Sequence, residues 1–304
     1  MYTENLSTFF DLPVVDFNSP DDWKGVRHAY RLREEYEDET TIADRLQALG
    51  GMPQARELTA LVIGAWSEAF GESNSAPIIA GLAGVAAQLA GLRGLFLGDM
   101  TYEECEVSWI KQADIAPLLK AYPRLEELRV RGGEGLSISR VTHRSLRTLG
   151  IETGGLPRSV LRELFACELP ALEQLELLLG EENYGFDGSV EDLQPLLTGD
   201  LFPRLEHLGL MNSVIANDIA AVVVNSPLVH RLKTLDLSMG TLDDEGAKSL
   251  QELAGCGNLK LLILSHHYIT EAALQELRAA LKCEIIADNP EDLTDDFRAI
   301  LHAE

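Results

Sequence analysis

The chain has 304 residues, of which 46% are hydrophobic, enough for one extended array or two ordinary domains. It carries 49 Asp and Glu against 25 Lys and Arg, a formal charge of −24. Such a surface repels phosphate backbones and anionic lipid heads, which argues against nucleic-acid or membrane binding and draws basic partners instead.

The first residues, Met1 to Leu12, contain acid, no basic n-region and no long apolar run, so they do not read as a secretory signal. Tyr30, Leu32, Glu34 and Tyr36 alternate with Arg31, Arg33 and Glu35, the pattern of a partly covered end strand. Ile42, Leu46 and Leu49 then make a short helical stripe. From Leu58 onward one unit recurs: an aliphatic, two free positions, a second aliphatic, one free position, a third. Its eight copies are Leu58-Leu61-Ile63, Leu92-Leu95-Leu97, Leu125-Leu128-Val130, Leu146-Leu149-Ile151, Leu172-Leu175-Leu177, Leu205-Leu208-Leu210, Leu232-Leu235-Leu237 and Leu259-Leu262-Leu264. Their first leucines are 34, 33, 21, 26, 33, 27 and 27 residues apart, a near-regular pitch that marks a repeat architecture.

The second and third aliphatics alternate with free residues and so share one face of a short strand. Bringing the next strand alongside in parallel demands a crossover, usually a helix. The returns have that spacing: Leu161, Leu164, Phe165 and Leu169 after Pro157; Ala247, Leu250, Leu253 and Ala254; and Ile269, Ala273, Leu274, Leu277 and Leu281. The 21-residue step contains Gly132, Gly133, Gly135, Ser137 and Ser139 and is too short for a full helix, so it reads as a loop or one tight turn. The long steps carry insertions at Trp66 to Ser75, Asp99 to Gln112 and Gly180 to Ser189. Near the end, Cys283 to Ala287 reads as a strand. Asn289 and Pro290 read as the start of a helix whose Leu293, Phe297, Ile300 and Leu301 close the core. With no flexible linker, the expected organisation is a single domain over 1–304: an N-terminal cap at 1–55, repeats at 56–282 and a C-terminal cap at 283–304.

The run Leu235-Asp-Leu-Ser-Met-Gly-Thr-Leu-Asp-Asp-Glu-Gly-Ala247, followed by Leu250, resembles the leucine-rich repeats of the ribonuclease-inhibitor type, and Leu262 to Leu274 looks like the same unit. The resemblance covers Leu58 to Ala287. It implies an α/β leucine-rich repeat solenoid: a right-handed horseshoe with a parallel sheet on the concave face, helices on the convex face, about eight repeats and both ends capped. It also implies binding rather than catalysis. The segment Cys105 to Asp114, with Arg131-Gly-Gly133, is similar to an uncharacterised group of bacterial leucine-rich repeat proteins and brings no established activity. One departure is plain. The asparagine usual three residues past the third aliphatic is replaced by Trp66, Met100, Gly133, Gly154, Gly180, Ser213, Gly240 and His267. The loop amides must then be satisfied by water or by glycine-permitted turns.

Eight strands about 4.8 Å apart give a face roughly 35 Å across. Its central column reads Val62, Phe96, Arg129, Gly150, Glu176, Gly209, Asp236, Ile263. The next column contains Arg131, Glu152 and Met211, and Gly150 and Gly209 leave space beside charged neighbours. Arg129, Arg131, Glu152, Glu176 and Asp236 form a candidate docking strip, with Phe96 and Met211 as apolar anchors. Cross-strand charge pairing is the competing explanation. The insertions bring Trp66, Phe70, Met100, Tyr102, Trp109, Tyr184 and Phe186 to the loops. Trp109, flanked by Val107 and Ile110, is expected to fold back over the strand ends.

Catalytic signatures are weak. Phosphate-binding, dinucleotide-binding, zinc-protease and nucleophile-elbow motifs are absent from the sequence. His266 and His267 are adjacent and point apart, with His267 in the ladder position suited to a loop hydrogen bond. His207 is expected near Thr234 on the sheet face. The acidic run Glu181, Glu182, Asp187 and Asp192 lacks calcium-loop spacing. The four cysteines, Cys105, Cys167, Cys256 and Cys283, have no paired pattern, which fits a reducing compartment and a cytoplasmic location. No catalytic residue, metal or cofactor is expected. The chain reads as a protein–protein interaction module whose partner has a basic surface. The alternatives are a GTPase-activating protein that inserts Arg129 or Arg131, and a regulatory subunit of a partner enzyme.

Overall fold

Short strands, each followed by a return to the same edge, force a parallel sheet with helices on one side. The computed structural model describes residues 2–35, 38–66, 73–292 and 298–303. Tyr36, Phe70, Leu293 and Phe297 lie outside the described residues. The chain divides into two compact units, Met1–Glu152 with Ala166–Ala171, and Thr153–Phe165 with Leu172–Ala303.

The first unit runs β1 (Thr8–Phe9), β2 (Leu12–Asp16), β3 (Ala29–Leu32), α1 (Ile42–Gly50), β4 (Ala60–Ile63), α2 (Ala76–Gly84), β5 (Gly94–Leu97), α3 (Ala116–Ala121), β6 (Glu127–Arg131) and β7 (Thr148–Glu152). β1 and β2 form an antiparallel hairpin, and β2 to β7 pair in parallel in chain order. The second unit runs α4 (Arg158–Phe165), β8 (Gln174–Gly180), α5 (Val190–Leu197), β9 (His207–Ser213), α6 (Ala216–Val223), β10 (Thr234–Asp236), α7 (Asp244–Leu250), β11 (Leu261–Ile263), α8 (Glu271–Ala280) and β12 (Glu284–Ile286). Its strands β8 to β12 are parallel neighbours in chain order. Each unit therefore has a leucine-rich-repeat-like arrangement.

Register explains the leucine triplets. Leu61, Leu95, Leu128 and Leu149 align across four strands, and Leu175, Leu208, Leu235 and Leu262 across another four. All eight are at most 2% exposed. Each buried leucine contributes about 2 kcal/mol, and stacking in register lets every unit cover the next. The helices stack on one another, α1 to α3 in the first unit and α4 to α8 in the second. The expected stripes bury Ile42, Leu46 and Leu49 in α1, and Leu161, Leu164 and Phe165 in α4. The short step after β6 is a loop without a helix.

Two expectations need correction and a third is met only in part. β3 is not an end strand: β2 pairs beside it and Tyr30 is fully buried. No helix starts at Pro290. Asn289 has φ 53°, Pro290 bridges to His267, and Glu291 N–H donates to the His267 carbonyl, so the chain turns at Asn289 and pairs beside the preceding loop. The loops without asparagine do use glycine-permitted turns, with φ of 99° at Gly98, 106° at Gly132 and 81° at Gly180, but side chains take part as well. Gln112 Nε2 donates to the Arg131 carbonyl at 2.7 Å, Thr153 Oγ1 accepts from Gly155 N–H, Ser213 Oγ from Ile215 N–H, and His267 Nδ1 from Ile269 N–H. At these four turns a polar side chain does what the asparagine would do.

Candidate functional site

Alternation along the strands of the first unit sends Leu61, Leu95 and Leu128 to one face and Val62, Phe96 and Arg129 to the other. Register puts Val62 beside Phe96, Phe96 beside Arg129 and Arg129 beside Gly150. The N-terminal segment crosses this outward face. Phe9 packs on Ala29, Ala60, Val62 and Phe96, with Leu6, Phe10, Leu12 and Val14 against the same cluster. The rings of Phe9 and Phe96 lie 6.1 Å apart and tilted by 45°. Phe96 is 1% exposed, so this anchor of the expected strip lies beneath the chain's own N-terminal segment.

A charged network surrounds that cluster. The Asp99 carboxylate is wholly buried, 3.3 Å from Arg31 and 3.9 Å from Arg131. It also accepts the Leu6 N–H, while Asn5 donates to the Asp99 carbonyl. Burial raises the Asp99 pKa, against the pull of both arginines. Arg131 is buried too. Its Nε donates to Glu152 at 2.8 Å, its Nη1 to the Met100 carbonyl at 2.6 Å, and its guanidinium lies 3.5 Å from the Tyr2 ring centroid. Burial, then the neighbouring Glu152, pushes the Tyr2 hydroxyl well above its ordinary pKa. Arg131 thus holds sheet, inserted loop and N-terminal segment together.

Arg129 bonds Glu127 at 2.7 Å and folds over Gly150, where an added Cβ would stand 3.1 Å from its Nη1. The space expected beside Gly150 is therefore filled. Next to the N-terminal segment lies a cleft of about 540 Å³, its floor formed by Phe9, Phe10 and Phe96 and its wall by Glu127, Arg129 and Glu152.

The Asp99–Gln112 insertion forms the rim of this unit. Met100, Cys105, Val107, Ile110 and Gln112 are buried. Thr101 and Glu104 close its first turn through reciprocal bonds, and Arg33 reaches Glu104 at 3.4 Å. Burial pushes the Cys105 thiol up to about 12, which leaves it protonated and unreactive at neutral pH. Trp109 is 56% exposed and Tyr102 39%. The expectation that Trp109 folds back fails, because Val107 and Ile110, three apart, share the inward side of the turn and leave Trp109 pointing out. Trp66 and Phe186 are buried and Tyr184 is half-buried, so those loop aromatics serve packing.

In the second unit Glu176, Gly209 and Asp236 are register neighbours. Gln174 donates to Glu176 at 2.5 Å, and Asp236 accepts from Ser238 N–H. Burial raises the Asp236 pKa, and Glu176 adds to the rise. Met211 is 7% exposed and lies against Gly209, where its methyl fills the expected space. His207 pairs in register with Thr234 as anticipated.

Other chemistry is thin. Among the described residues no group of three His, Cys, Asp or Glu side chains is arranged to hold a metal. His266 approaches Glu291 at 3.1 Å, while His267 accepts from Ile269 N–H, so the adjacent histidines serve different partners. In the acidic loop, Asp187 pairs with Arg158 and Asp192 with Arg162. No helix among the described residues is long and apolar enough to cross a membrane. The N-terminal cover was missed from the sequence, although Val62 and Phe96, apolar at outward positions, were its signal.

No family model and no curated protein matches the chain. Among solved structures, an internalin from Listeria monocytogenes shares 16% identity at a TM-score of 0.42, over 88% of this chain and 69% of its own. A crystal structure of a protein from Bacteroides fragilis shares 30% identity at a TM-score of 0.81, over 89% of this chain and 76% of its own. The chain belongs to the same family as this Bacteroides fragilis protein.

Proposed function

We propose that the protein is a non-catalytic docking module of the ribonuclease-inhibitor-like repeat type, acting in the cytoplasm on a protein partner with a basic surface. The observation that carries this reading is the Asp99–Gln112 loop. Its base is held by buried side chains while Trp109 and Tyr102 stand in solvent. Large aromatics presented on a fixed loop are the usual energetic centres of protein interfaces. Glu103 and Glu106 flank them, and the net charge of −24 favours encounter with a cation-rich segment. Arg129 and Glu152 extend the surface into the cleft, with Phe96 and Arg131 supporting it from beneath the N-terminal segment. Half-buried Glu176 and Asp236 are its counterpart in the second unit, where Met211 is buried rather than presented as an anchor.

The test is affinity capture with the wild type and with Trp109→Ala. The expected result is loss of the captured partner while circular dichroism stays unchanged, because a surface substitution at an exposed side chain shifts stability by about 0.5 kcal/mol or less. Undiminished capture by Trp109→Ala combined with Tyr102→Ala would refute the loop as the docking site.

A further inference from the structure

We propose that the segment from Tyr2 to Phe10 is an exchangeable strap over the outward face of the first unit. We infer further that this face accepts an extended peptide carrying an aromatic side chain, which takes the strap's seat. The inference rests on the docking reading above and adds the chemistry of what docks and the intramolecular contact that competes with it.

Four observations support exchange. The strap joins the sheet through weak pairing: β1 has two residues, and one of its partners is Pro13, which has no N–H to give. Its hinge is strained. Phe10 and Asp11 form the two-residue connection between Phe9 and Leu12, with φ of 52° and 58°. Such turns are ordinarily made by Asn-Gly or Asp-Gly, because side chains crowd the backbone at positive φ. Opening the strap releases that strain. The strap ends at open space, since the cleft of about 540 Å³ lies beside it and is lined by Leu6, Thr8 and Phe10 as well as by Glu127, Arg129 and Glu152. Last, Thr3, Glu4, Ser7 and Thr8 face solvent, so about half of the strap adds nothing to the core.

The seat specifies its occupant. The Arg131 guanidinium receives an aromatic face, as it does from Tyr2. Asp99 receives a backbone N–H, and its carbonyl a side-chain amide, as from Leu6 and Asn5. The Tyr102 N–H donates to a peptide carbonyl, as to that of Tyr2. Ala60, Val62 and Phe96 accept a second aromatic group, as from Phe9. One extended peptide supplies all five groups.

The experiment uses the intact chain and a fluorescein-labelled synthetic peptide spanning Tyr2 to Phe9. Two variants move the strap in opposite directions. An alanine Cβ at position 94 would stand 2.9 Å from the Phe10 ring, so Gly94→Ala pushes Phe10 off β5, while the probe lacks that residue. Probe affinity is expected to rise about tenfold, the effect of an overpacking clash on the strap alone. Asp11→Gly relaxes the hinge and tightens the strap, and probe affinity is expected to fall about fivefold. Amide exchange in the wild type should show the Tyr102 and Leu6 N–H groups opening well before those of β5. Probe affinity equal in all three proteins, or Tyr102 and Leu6 amides as protected as those of β5, would overturn the strap. Should Gly94→Ala fail to fold, Asp11→Gly and the exchange data decide alone. Probe binding is read without any captured protein. A failure of the Trp109 experiment therefore leaves the strap standing, and a failure of the probe experiment leaves the loop reading intact.

Discussion

Phe9 and Phe96 touch across the same small cluster, yet truncating them should have different consequences. Phe96 lies on β5 beside Val62 and Arg129 and is 1% exposed, so Phe96→Ala loses packing within the sheet as well as against the strap, at a cost of about 3–5 kcal/mol. Phe9, 5% exposed, lies on the strap. Its burial contributes about 2–3 kcal/mol, and the left-handed residues Phe10 and Asp11 subtract about 1 kcal/mol each. These two terms nearly cancel, so closing the strap is favourable by little beyond what its bonds to Asp99 and its stacking on Arg131 provide. Once Phe9→Ala has removed more than that, the strap opens and no further loss accrues, so its penalty is capped at about 2 kcal/mol. Urea titration followed by tryptophan emission is the assay, because Trp23, Trp66 and Trp109 all lie in the first unit. Phe9→Ala should also lower the denaturant slope, since an open strap has already exposed its surface. A penalty for Phe9→Ala equal to that of Phe96→Ala, with an unchanged slope, would refute the reasoning and make the N-terminal segment an integral layer of the core.

Other outcomes follow from single sites. Buried His143 accepts the Leu146 N–H at Nδ1, so Nε2 carries the proton toward the Tyr122 carbonyl; His267 is held in the same way between Ile269 and Ala287. Burial lowers both pKa values, so the unfolded chain binds protons more readily. Stability should be fully present above the ordinary histidine pKa of about 6.5 and lost as pH falls below it; thermal melts from pH 7.5 to 5 check this, and His143→Gln should flatten part of the slope. Arg231 donates to the carbonyls of Leu205, Gly199 and Phe202 at 2.9–3.0 Å. Arg231→Met should cost about 2 kcal/mol, seen as faster amide exchange in β9. Gly180 has φ +81°, and a Cβ there would fall 1.8 Å from the Gly154 carbonyl oxygen. Gly180→Ala should cost about 3 kcal/mol or more, measured as a drop in melting temperature.

The repeat was legible because its signal is local. Each leucine triplet fixes its own strand, and burial of all three aliphatics follows from period and spacing alone. The turn chemistry was partly legible: His267 was read as a loop ligand and is one. The roles of Gln112 and Thr153 were not, because Gln112 bonds a loop nineteen residues away and Thr153 bonds within its own turn, both from positions that no repeat pattern marks. The docking strip was legible as a column of residues and illegible as a surface, since the exposure of Phe96 and Arg131 depends on a segment about 90 to 130 residues distant in sequence.

That last gap has a physical origin that makes it useful. A residue on the outward face of a repeat sheet has no packing duty unless something covers it, so an apolar side chain there implies a cover. The central column begins Val62, Phe96 and only then turns polar at Arg129. The cover lies over the apolar members, with Phe9 on Ala60, Val62 and Phe96, and the open cleft begins at Arg129, where the column changes character. Arg131 stands one column beyond, paired with Glu152 and stacked by Tyr2. The boundary between covered and open face is therefore written in side-chain polarity along one column. Replacing Phe96 by a polar residue of similar size, as in Phe96→Gln, should shift that boundary by releasing the strap: the Leu6 and Tyr102 amides would exchange faster while the inward-facing leucines, still in register, kept their protection. Equal acceleration across β4, β5 and β6 would show instead that cover and sheet form one cooperative body, and that polarity along the column marks no boundary at all.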